Sequence, residues 1–266
     1  MRVLFVYPNL YTQMGFNHGL AALSAVLKDA GHETRLLNLN ENLPPVPSND
    51  DAWELVQSWQ PDLIGFSCLT QQYGSALELA RALRARADEE GAALPPLVVG
   101  GIHPTMVPDE VMRDGAWDHV GVGECEDALL ELLRRMEAGE STDEVQNFLS
   151  WPGGERPGAG AEVAWKHNPV GSFPDFKSQP LPDYALFDTQ RITDLNHMQW
   201  HYLNRRPQGT GQGLFTGGTL ASGSWKEFSG SFPKPSGSFP KPSGSFRKIP
   251  EVSGGSAEAS GSLCET

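Results

Sequence analysis

Glycines and other small residues follow the apolar runs of this sequence. If the runs are strands, a ligand surface would form at these positions. The run Leu97-Val98-Val99 leads directly into Gly100-Gly101. A short apolar run bounded by glycine is typical of a strand buried on both faces. Paired glycines let another group approach the backbone without a Cβ in the way. Because ligands of open α/β sheets bind at the carboxyl ends of the strands, Gly100 and Gly101 form a candidate ligand surface.

Three further apolar runs also end in residues of low bulk. The candidate binding residues are Tyr7, Pro8, Asn9, Ser67, Cys68, Leu69, Gly100, Gly101, His103, Gly121, Gly123 and Glu124. They offer a small hydroxyl, exposed amides and uncrowded loops, which suit a broad, flat ligand better than a compact phosphate. Neither GxGxxG nor GxxxxGK[ST] occurs at these turns, so the sequence argues against a dinucleotide or P-loop site.

Five strand-then-helix units occupy the first 140 residues. The predicted strands are 2–7, 34–39, 62–67, 97–100 and 119–122, and the predicted helices are 18–30, 51–59, 75–87, one opened by Pro108 and one after Glu124. Alternating strands and helices with right-handed crossovers predict an α/β fold. The expected architecture is a five-stranded parallel, doubly wound sheet of the flavodoxin-like or Rossmann-like type.

The pattern divides the chain into three parts. Residues 1–140 form the α/β domain, and residues 141–206 form an irregular lead-in segment with short strands expected around 161–165. Residues 207–266 are a low-complexity tail, rich in Gly, Ser and Pro, in which a seven-residue repeat begins at Gly223. Such a tail cannot bury a core, so we expect it to be disordered. An altered reading frame is a second interpretation of this tail.

Charge and cysteine usage narrow the class of protein. The net charge is -13, and residues 1–150 hold 23 Asp and Glu against 9 Lys and Arg. An acidic body of this kind argues against nucleic acid as a partner. No apolar run has the roughly 18 residues of a membrane helix, and the sequence opens on a strand pattern rather than a secretory leader. Three widely separated cysteines predict no disulfide framework, so the expected location is the cytoplasm.

The order of motifs on successive strands resembles a cobalamin (B12)-binding domain. The order is Ser67-x-Leu69, then Gly100-Gly101, then a glycine-acid turn. The segments 100–105 (GGIHPT) and 121–126 (GVGECE) are similar to the N-terminal domain of B12-binding radical S-adenosylmethionine (SAM) enzymes. The likeness covers residues 1–140, and residues 179–188 (QPLPDYALFD) are similar to the segment that leads into that family's catalytic barrel.

The resemblance implies roles for the candidate residues. Ser67 would hydrogen-bond the nucleotide tail of cobalamin, Gly100 and Gly101 would leave room for that tail, and the loop after the first strand would lie near the corrin. Two structural alternatives stay open: Ser67 capping the following turn, and the glycines serving close helix packing.

The motifs that would bring metal chemistry to the chain are incomplete. A DxHxxG cobalt-ligand motif would need Asp and Gly where Phe16 and Ala21 flank His18, so the carboxylate that orients such a histidine is missing. We therefore interpret His18 as a helix start, His103 as a residue that shapes its loop, and cobalamin as held without a protein histidine on cobalt. No CxxxCxxC occurs, so neither an iron–sulfur cluster nor a catalytic or metal-ligating residue is predicted.

The resulting hypothesis is a cobalamin-binding domain of a truncated enzyme that lacks its cluster and barrel. By resemblance, the full enzymes perform methyl transfers or related radical steps, and this chain alone would catalyse nothing. One alternative is a stand-alone cobalamin carrier or regulatory subunit that works with a separate radical SAM barrel protein. Another is a flavodoxin-like or receiver-like signalling module, which would require an acidic cluster at the first strand end and an Asp in place of Ser67.

Overall fold

A computed structural model describes residues 1–10, 15–154, 156–157, 163–175 and 177–195. These residues belong to one compact unit, Met1–Gly209. The low-complexity tail predicted over residues 207–266 lies outside the described residues.

Seven strands and seven α-helices are found in the described part of the chain. The strands are β1 (Arg2–Tyr7), β2 (Glu33–Asn38), β3 (Leu63–Ser67), β4 (Leu97–Gly100), β5 (His119–Gly121), β6 (Phe148–Ser150) and β7 (Lys166–His167). The helices are α1 (His18–Asp29), α2 (Asn49–Trp59), α3 (Thr70–Glu90), α4 (Ile102–Met106), α5 (Pro108–Arg113), α6 (Glu126–Ala138) and α7 (Thr189–Leu195). One-turn 3₁₀ helices occupy Pro152–Gly154 and Tyr184–Leu186.

The strands form one sheet in the order β2-β1-β3-β4-β5-β6-β7. The pairings from β2 through β5 are parallel, whereas β6 pairs antiparallel with β5 and β7 pairs antiparallel with β6. The order 2-1-3-4-5 of the parallel strands is that of flavodoxin-like doubly wound folds. The predicted α/β architecture is therefore confirmed. β2 lies at the edge of the sheet, the position that its polar residues favour.

The lead-in segment contributes more to the sheet than its sequence indicates. β6 and β7 extend the five parallel strands, and the strand expected around 161–165 is found at Lys166–His167. Strands of three and two residues are too short to show a period in the sequence. The short helix α4 was also missed, because five residues that include Pro104 carry no helical period.

Capping residues explain where the principal helices begin and end. The Asn17 side chain accepts a hydrogen bond from the Leu20 N–H at the start of α1. Ser48 and Asp51 form a reciprocal capping box at the start of α2. Gly91 and Gly139 end α3 and α6 in the left-handed conformation that favours glycine.

Two apolar cores lie on opposite faces of the sheet. Val3 and Phe5 of β1 belong to the core that contains α1 and α6, whereas Leu4 and Val6 belong to the core that contains α2 and α3. Alternate residues of a strand point to opposite faces, so β1, β3 and β4 each contribute to both cores. The α1/α6 core is the one that is opened by a cavity.

Membrane and metal features are absent from the described residues. No helix among them has the length and apolarity needed to cross a membrane. In the same residues, no group of three His, Cys, Asp or Glu side chains could hold a metal ion.

Candidate functional site

The carboxyl ends of β1, β3, β4 and β5 meet along one edge of the sheet. Ser67 pairs with Gly100 at the ends of β3 and β4. The loops beyond these ends enclose a surface depression of about 550 Å³, which we call the strand-end depression. Its lining includes the predicted residues Tyr7, Ser67, Cys68, Leu69, Gly101, Gly123 and Glu124. Seven residues predicted from separate segments are thus brought together.

A second space, the interlayer cavity, lies between the sheet and the helices α1 and α6. It has a volume of about 130 Å³. The sheet side is lined by Phe5, Gly65, Ser67, Val98, Gly100 and Gly121, and the helix side by residues that include Leu20, Leu23, Cys125, Glu126 and Leu129. Ser67 and Gly101 line both spaces, so the depression and the cavity adjoin at the end of β3.

The cavity exists because four positions of the sheet carry almost no side chain. Gly65, Ser67, Gly100 and Gly121 all lie along its wall. A Cβ built at Gly100 meets nothing within 4 Å, so it would project into empty space. Close packing is the rule in protein interiors, and an open wall of this kind leaves room for a ligand group.

Gly101 lies at a point of close backbone approach. Its φ is 101° and its ψ is -169°, a combination that essentially only glycine adopts. A Cβ on Gly101 would lie 2.7 Å from the carbonyl oxygen and 2.9 Å from the nitrogen of Cys68. The Cys68 carbonyl also accepts a hydrogen bond from the His103 N–H at 3.4 Å. The second glycine therefore fixes the path of the chain from β4 into α4.

The Ser67 hydroxyl is oriented by the residue that caps α1. Asn17 donates a hydrogen bond from Nδ2 to Ser67 Oγ at 3.2 Å, while its Oδ1 accepts from the Leu20 N–H at 3.0 Å. Ser67 thus retains its own hydroxyl proton for another acceptor. Sequence reasoning missed Asn17, although its position directly before the helix was a recognisable N-cap signal.

Buried polar side chains hold the loop after β1 to the start of α3. Gln72 Nε2 donates to Asn9 Oδ1 at 3.4 Å, and Gln72 Oε1 accepts from the Leu69 N–H at 2.9 Å. Burial raises the pKa of the Tyr7 phenol, against an opposing hydrogen bond from Gln72. Pro8 and Asn9 are buried and lie beside the depression rather than in its lining.

The turn after β5 is fixed from two sides. The Gly123 N–H donates to Thr105 Oγ1 of α4 at 3.1 Å. Asn147 Nδ2 donates to the carbonyl oxygens of Val122 and Glu124, both at 3.0 Å. Asn147 was not among the predicted residues, because its role depends on β6, which the sequence does not reveal. Gly123 and Glu124 are consequently held at the rim of both spaces.

The histidines near the site make contacts within the protein. His18 is the first residue of α1, as predicted, and its Nδ1 lies 2.8 Å from the Tyr184 hydroxyl. The His103 ring lies 4.3 Å from the Tyr73 ring, outside the lining of the depression. Burial lowers the pKa of His103.

The two thiols at the site are kept neutral. Burial raises the pKa of Cys68 to about 12 and that of Cys125 to about 12. Metal ligation requires the thiolate, so neither group is prepared to bind a metal at neutral pH.

Glu126 is a cavity residue that the sequence interpretation left out. It is the first residue of α6, it is only 4% exposed, and it lines the interlayer cavity. Burial raises the pKa of its carboxyl, although backbone hydrogen bonds oppose this rise. The glycine-acid turn indicated an acidic residue near the ligand, but the pattern could not tell which carboxyl turns inward.

Comparison with known proteins identifies the fold. Residues 11–133 match the family model for the B12 binding domain. OxsB, a cobalamin-dependent S-adenosylmethionine radical enzyme solved with aqua-cobalamin bound, is 20% identical with a TM-score of 0.59, over 73% of this chain and 25% of OxsB. TsrM, a radical S-adenosylmethionine methyltransferase from Kitasatospora setae, is 22% identical with a TM-score of 0.48, over 63% of this chain and 30% of TsrM. No curated protein matches the chain.

These matches differ in what they establish. At 20% identity the OxsB match establishes a shared fold, and this chain spans about a quarter of the OxsB length. The family match lies on the segment whose strand ends enclose the depression and the cavity. Residues 11–133 of this chain are similar to the B12 binding domain.

Proposed function

We propose that this chain binds cobalamin with the corrin over the strand-end depression and the nucleotide tail in the interlayer cavity. The single observation that carries the proposal is the open wall at Gly100, where a Cβ would meet nothing within 4 Å. The strand-end depression has a volume of about 550 Å³, within the range of about 300–1,000 Å³ that small-molecule sites occupy, and the adjoining interlayer cavity adds about 130 Å³. The residues that would hold the cofactor are the nine predicted residues that line the two spaces, together with Asn17 and Glu126; Pro8, Asn9 and His103 would support the loops around them.

The shape of the two adjoining spaces fits a ligand that has a broad ring and a long tail. Ile102 and Met106 flank the depression and are 62% and 73% exposed. Large apolar side chains left this exposed beside a concave surface are typical of ligand sites. They would cover part of the apolar corrin edge, while the Ser67 hydroxyl stands at the entrance to the cavity.

Cobalt would be held without a protein histidine. His18 lies at the depression, but the motif positions around it carry Phe16 and Ala21, so the carboxylate that would orient a cobalt-binding histidine is missing. A bound cobalamin supplies a cobalt centre that can carry a methyl group.

The chain would supply cofactor binding rather than the radical chemistry. Its 266 residues contain three cysteines and no CxxxCxxC motif, and three closely spaced thiolates are needed to hold a SAM-cleaving cluster. In this proposal the iron–sulfur cluster is contributed by a radical SAM barrel that lies outside these residues. A barrel on a separate polypeptide would also satisfy the proposal. A receiver-like role has less support, because β1 ends in Tyr7-Pro8-Asn9 and β3 ends in Ser67 rather than in carboxylates.

Gel filtration of the full chain after incubation with hydroxocobalamin tests the proposal. We expect corrin absorbance to elute with the protein at a stoichiometry near one. The variant Gly100→Leu would fill the cavity and weaken binding by at least about tenfold, or about 1.4 kcal/mol. The matched control is Gly74→Leu in α3, where a Cβ likewise meets nothing within 4 Å but which lies outside both spaces.

Two outcomes of this experiment would contradict different parts of the proposal. A folded wild-type chain that elutes without corrin absorbance would remove the cobalamin proposal. Equal binding by the Gly100→Leu and Gly74→Leu variants would leave cobalamin binding intact but would place the tail elsewhere.

A further inference from the structure

A buried carboxyl group lies in the wall of the largely apolar interlayer cavity. Glu126 begins α6 and is 4% exposed. Its neighbours along the cavity include Leu20 and Leu23 of α1 and Leu129 of α6. The chain thus places an ionisable group where solvent hardly reaches it and where the surrounding side chains are aliphatic.

One oxygen of this carboxyl group has no protein partner. Glu126 Oε2 is buried and makes no hydrogen bond with any residue that the structure describes. Backbone N–H groups at the start of α6 act on the carboxyl and lower its pKa, against the larger effect of burial. A buried polar atom left unpaired is destabilising, and native proteins rarely tolerate one without a functional reason.

The surroundings of Glu126 define what kind of group could pair with it. Glu124 and Asp127 are the charged neighbours, and both raise its pKa by repulsion. Lys and Arg are missing from the described residues that line the cavity. A phosphate would be repelled by this acidic corner. A neutral hydroxyl donor can instead supply the missing hydrogen bond without adding charge.

We propose that Glu126 accepts a hydrogen bond from a ribose hydroxyl of the nucleotide tail and thereby makes the site selective for corrinoids that carry this tail. The inference rests on the proposed cobalamin binding and adds a residue that determines ligand specificity. Glu126 is a binding residue in this role, because it lines the cavity that the tail would occupy and its buried Oε2 has no hydrogen-bond partner among the described residues. Tail-less corrinoids would leave that oxygen unpaired.

The test compares the affinities of the full-length chain for cobalamin and for cobinamide, which lacks the nucleotide. We expect Glu126→Met to weaken cobalamin binding on the order of tenfold or more, which is the loss of one buried hydrogen bond, and to leave cobinamide binding unchanged. Glu126→Gln should retain most of the cobalamin affinity, because the amide oxygen still accepts. Asp127→Met is the matched control: it removes an exposed acid outside the cavity and should alter neither affinity.

The two proposals fail in different ways. Wild-type protein that binds neither corrinoid overturns the proposed function and this inference with it. If the wild type binds cobalamin but Glu126→Met loses affinity equally for both corrinoids, only the role of Glu126 is overturned. The same holds if Glu126→Met loses affinity for neither. Should Glu126→Met fail to fold, wild-type protein is measured with a cobalamin whose ribose hydroxyls are methylated. An unchanged affinity for that ligand then overturns the inference.

Discussion

Gly100 and Gly101 are adjacent, yet each lacks a side chain for a different physical reason. At Gly100 a Cβ would enter the empty interlayer cavity, so the residue keeps ligand space open. At Gly101 the obstacle is the protein itself, because a Cβ would collide with the Cys68 backbone. Substitution at Gly100 is therefore expected to affect binding, and substitution at Gly101 to affect folding.

Gly101→Ala should lower the free energy of unfolding by about 1–3 kcal/mol, the usual cost of a strained backbone residue. Gly91→Ala is the matched control, since Gly91 also has a positive φ, 61°, but a Cβ there meets nothing within 4 Å. The control should lose about 1 kcal/mol. Urea unfolding measures both values, and equal losses would show that the Cys68 contact is relieved at little cost.

The sequence pointed to these residues but could not distinguish their roles. The Gly100-Gly101 pair, Ser67 and Glu124 were predicted because strand ends are visible as apolar runs followed by small residues. Which of the two glycines faces the cavity depends on the pleat of the strand and on the packing of α6. The local spacing of residues in the sequence predicts neither. Glu126 was missed for the same reason.

The N-terminus of α1 connects helix stability to the proposed site. Asn17 uses its oxygen to cap the helix and its nitrogen to contact Ser67. One side chain therefore serves two elements, α1 and β3, and the two contacts have different chemical requirements: the cap needs an acceptor, and Ser67 Oγ receives from a donor.

Substitutions at Asn17 should separate these contacts. Asn17→Ala should lower the unfolding free energy by about 1 kcal/mol, the usual value of a lost N-cap. Asn17→Asp keeps an acceptor and adds a favourable charge at the helix start, so its stability should stay near that of wild type. Both variants should weaken cobalamin binding, because neither orients Ser67. Denaturant unfolding measures the stability of each variant, and corrin titration measures its affinity for cobalamin. An Asn17→Asp protein as unstable as Asn17→Ala would contradict the role of Asn17 as the N-cap.

At the level of elements, the sequence predicts what is long and periodic. β1 and β3 to β5 lie within one residue of their predicted bounds, and α1 begins at the predicted His18. α3 begins at Thr70, five residues before its predicted start, since its first turn carries polar residues without a period. β6 depends on pairing with β5, and tertiary pairing of three residues leaves no local signal.

For the whole molecule, the lead-in segment packs back onto the domain. The Asp183 N–H donates to the Ala21 carbonyl at 2.9 Å, and Phe187 and Ile192 are buried in the α1/α6 core. Ser24 Oγ and Lys28 Nζ each lie 2.6 Å from Asp183 Oδ2. The segment that resembles the approach to a barrel thus supports the helix that forms one wall of the cavity.

The docking of this segment should depend on pH through Asp183. Burial opposes ionisation, but hydrogen bonds from Lys28 and Ser24 outweigh it and lower the pKa of Asp183. A depressed carboxyl pKa stabilises the folded state above the unfolded value of about 3.9, and this contribution is lost as the pH falls through the folded pKa. Asp183→Asn should therefore lower the unfolding free energy by about 1 kcal/mol at pH 7, a value reduced by the partial exposure of Lys28.

The difference between wild type and Asp183→Asn should shrink toward zero as the pH falls through the lowered pKa of Asp183, because both proteins then carry a neutral group at this position. Unfolding measured by denaturant at several pH values provides the comparison. Asp175→Asn is the control, since Asp175 is an exposed acid in the same segment that accepts from the Lys177 N–H. If the stability difference for Asp183→Asn does not change with pH, the charge of Asp183 adds nothing to the attachment of the lead-in segment to α1. The residue would then contribute only through the geometry of its hydrogen bonds.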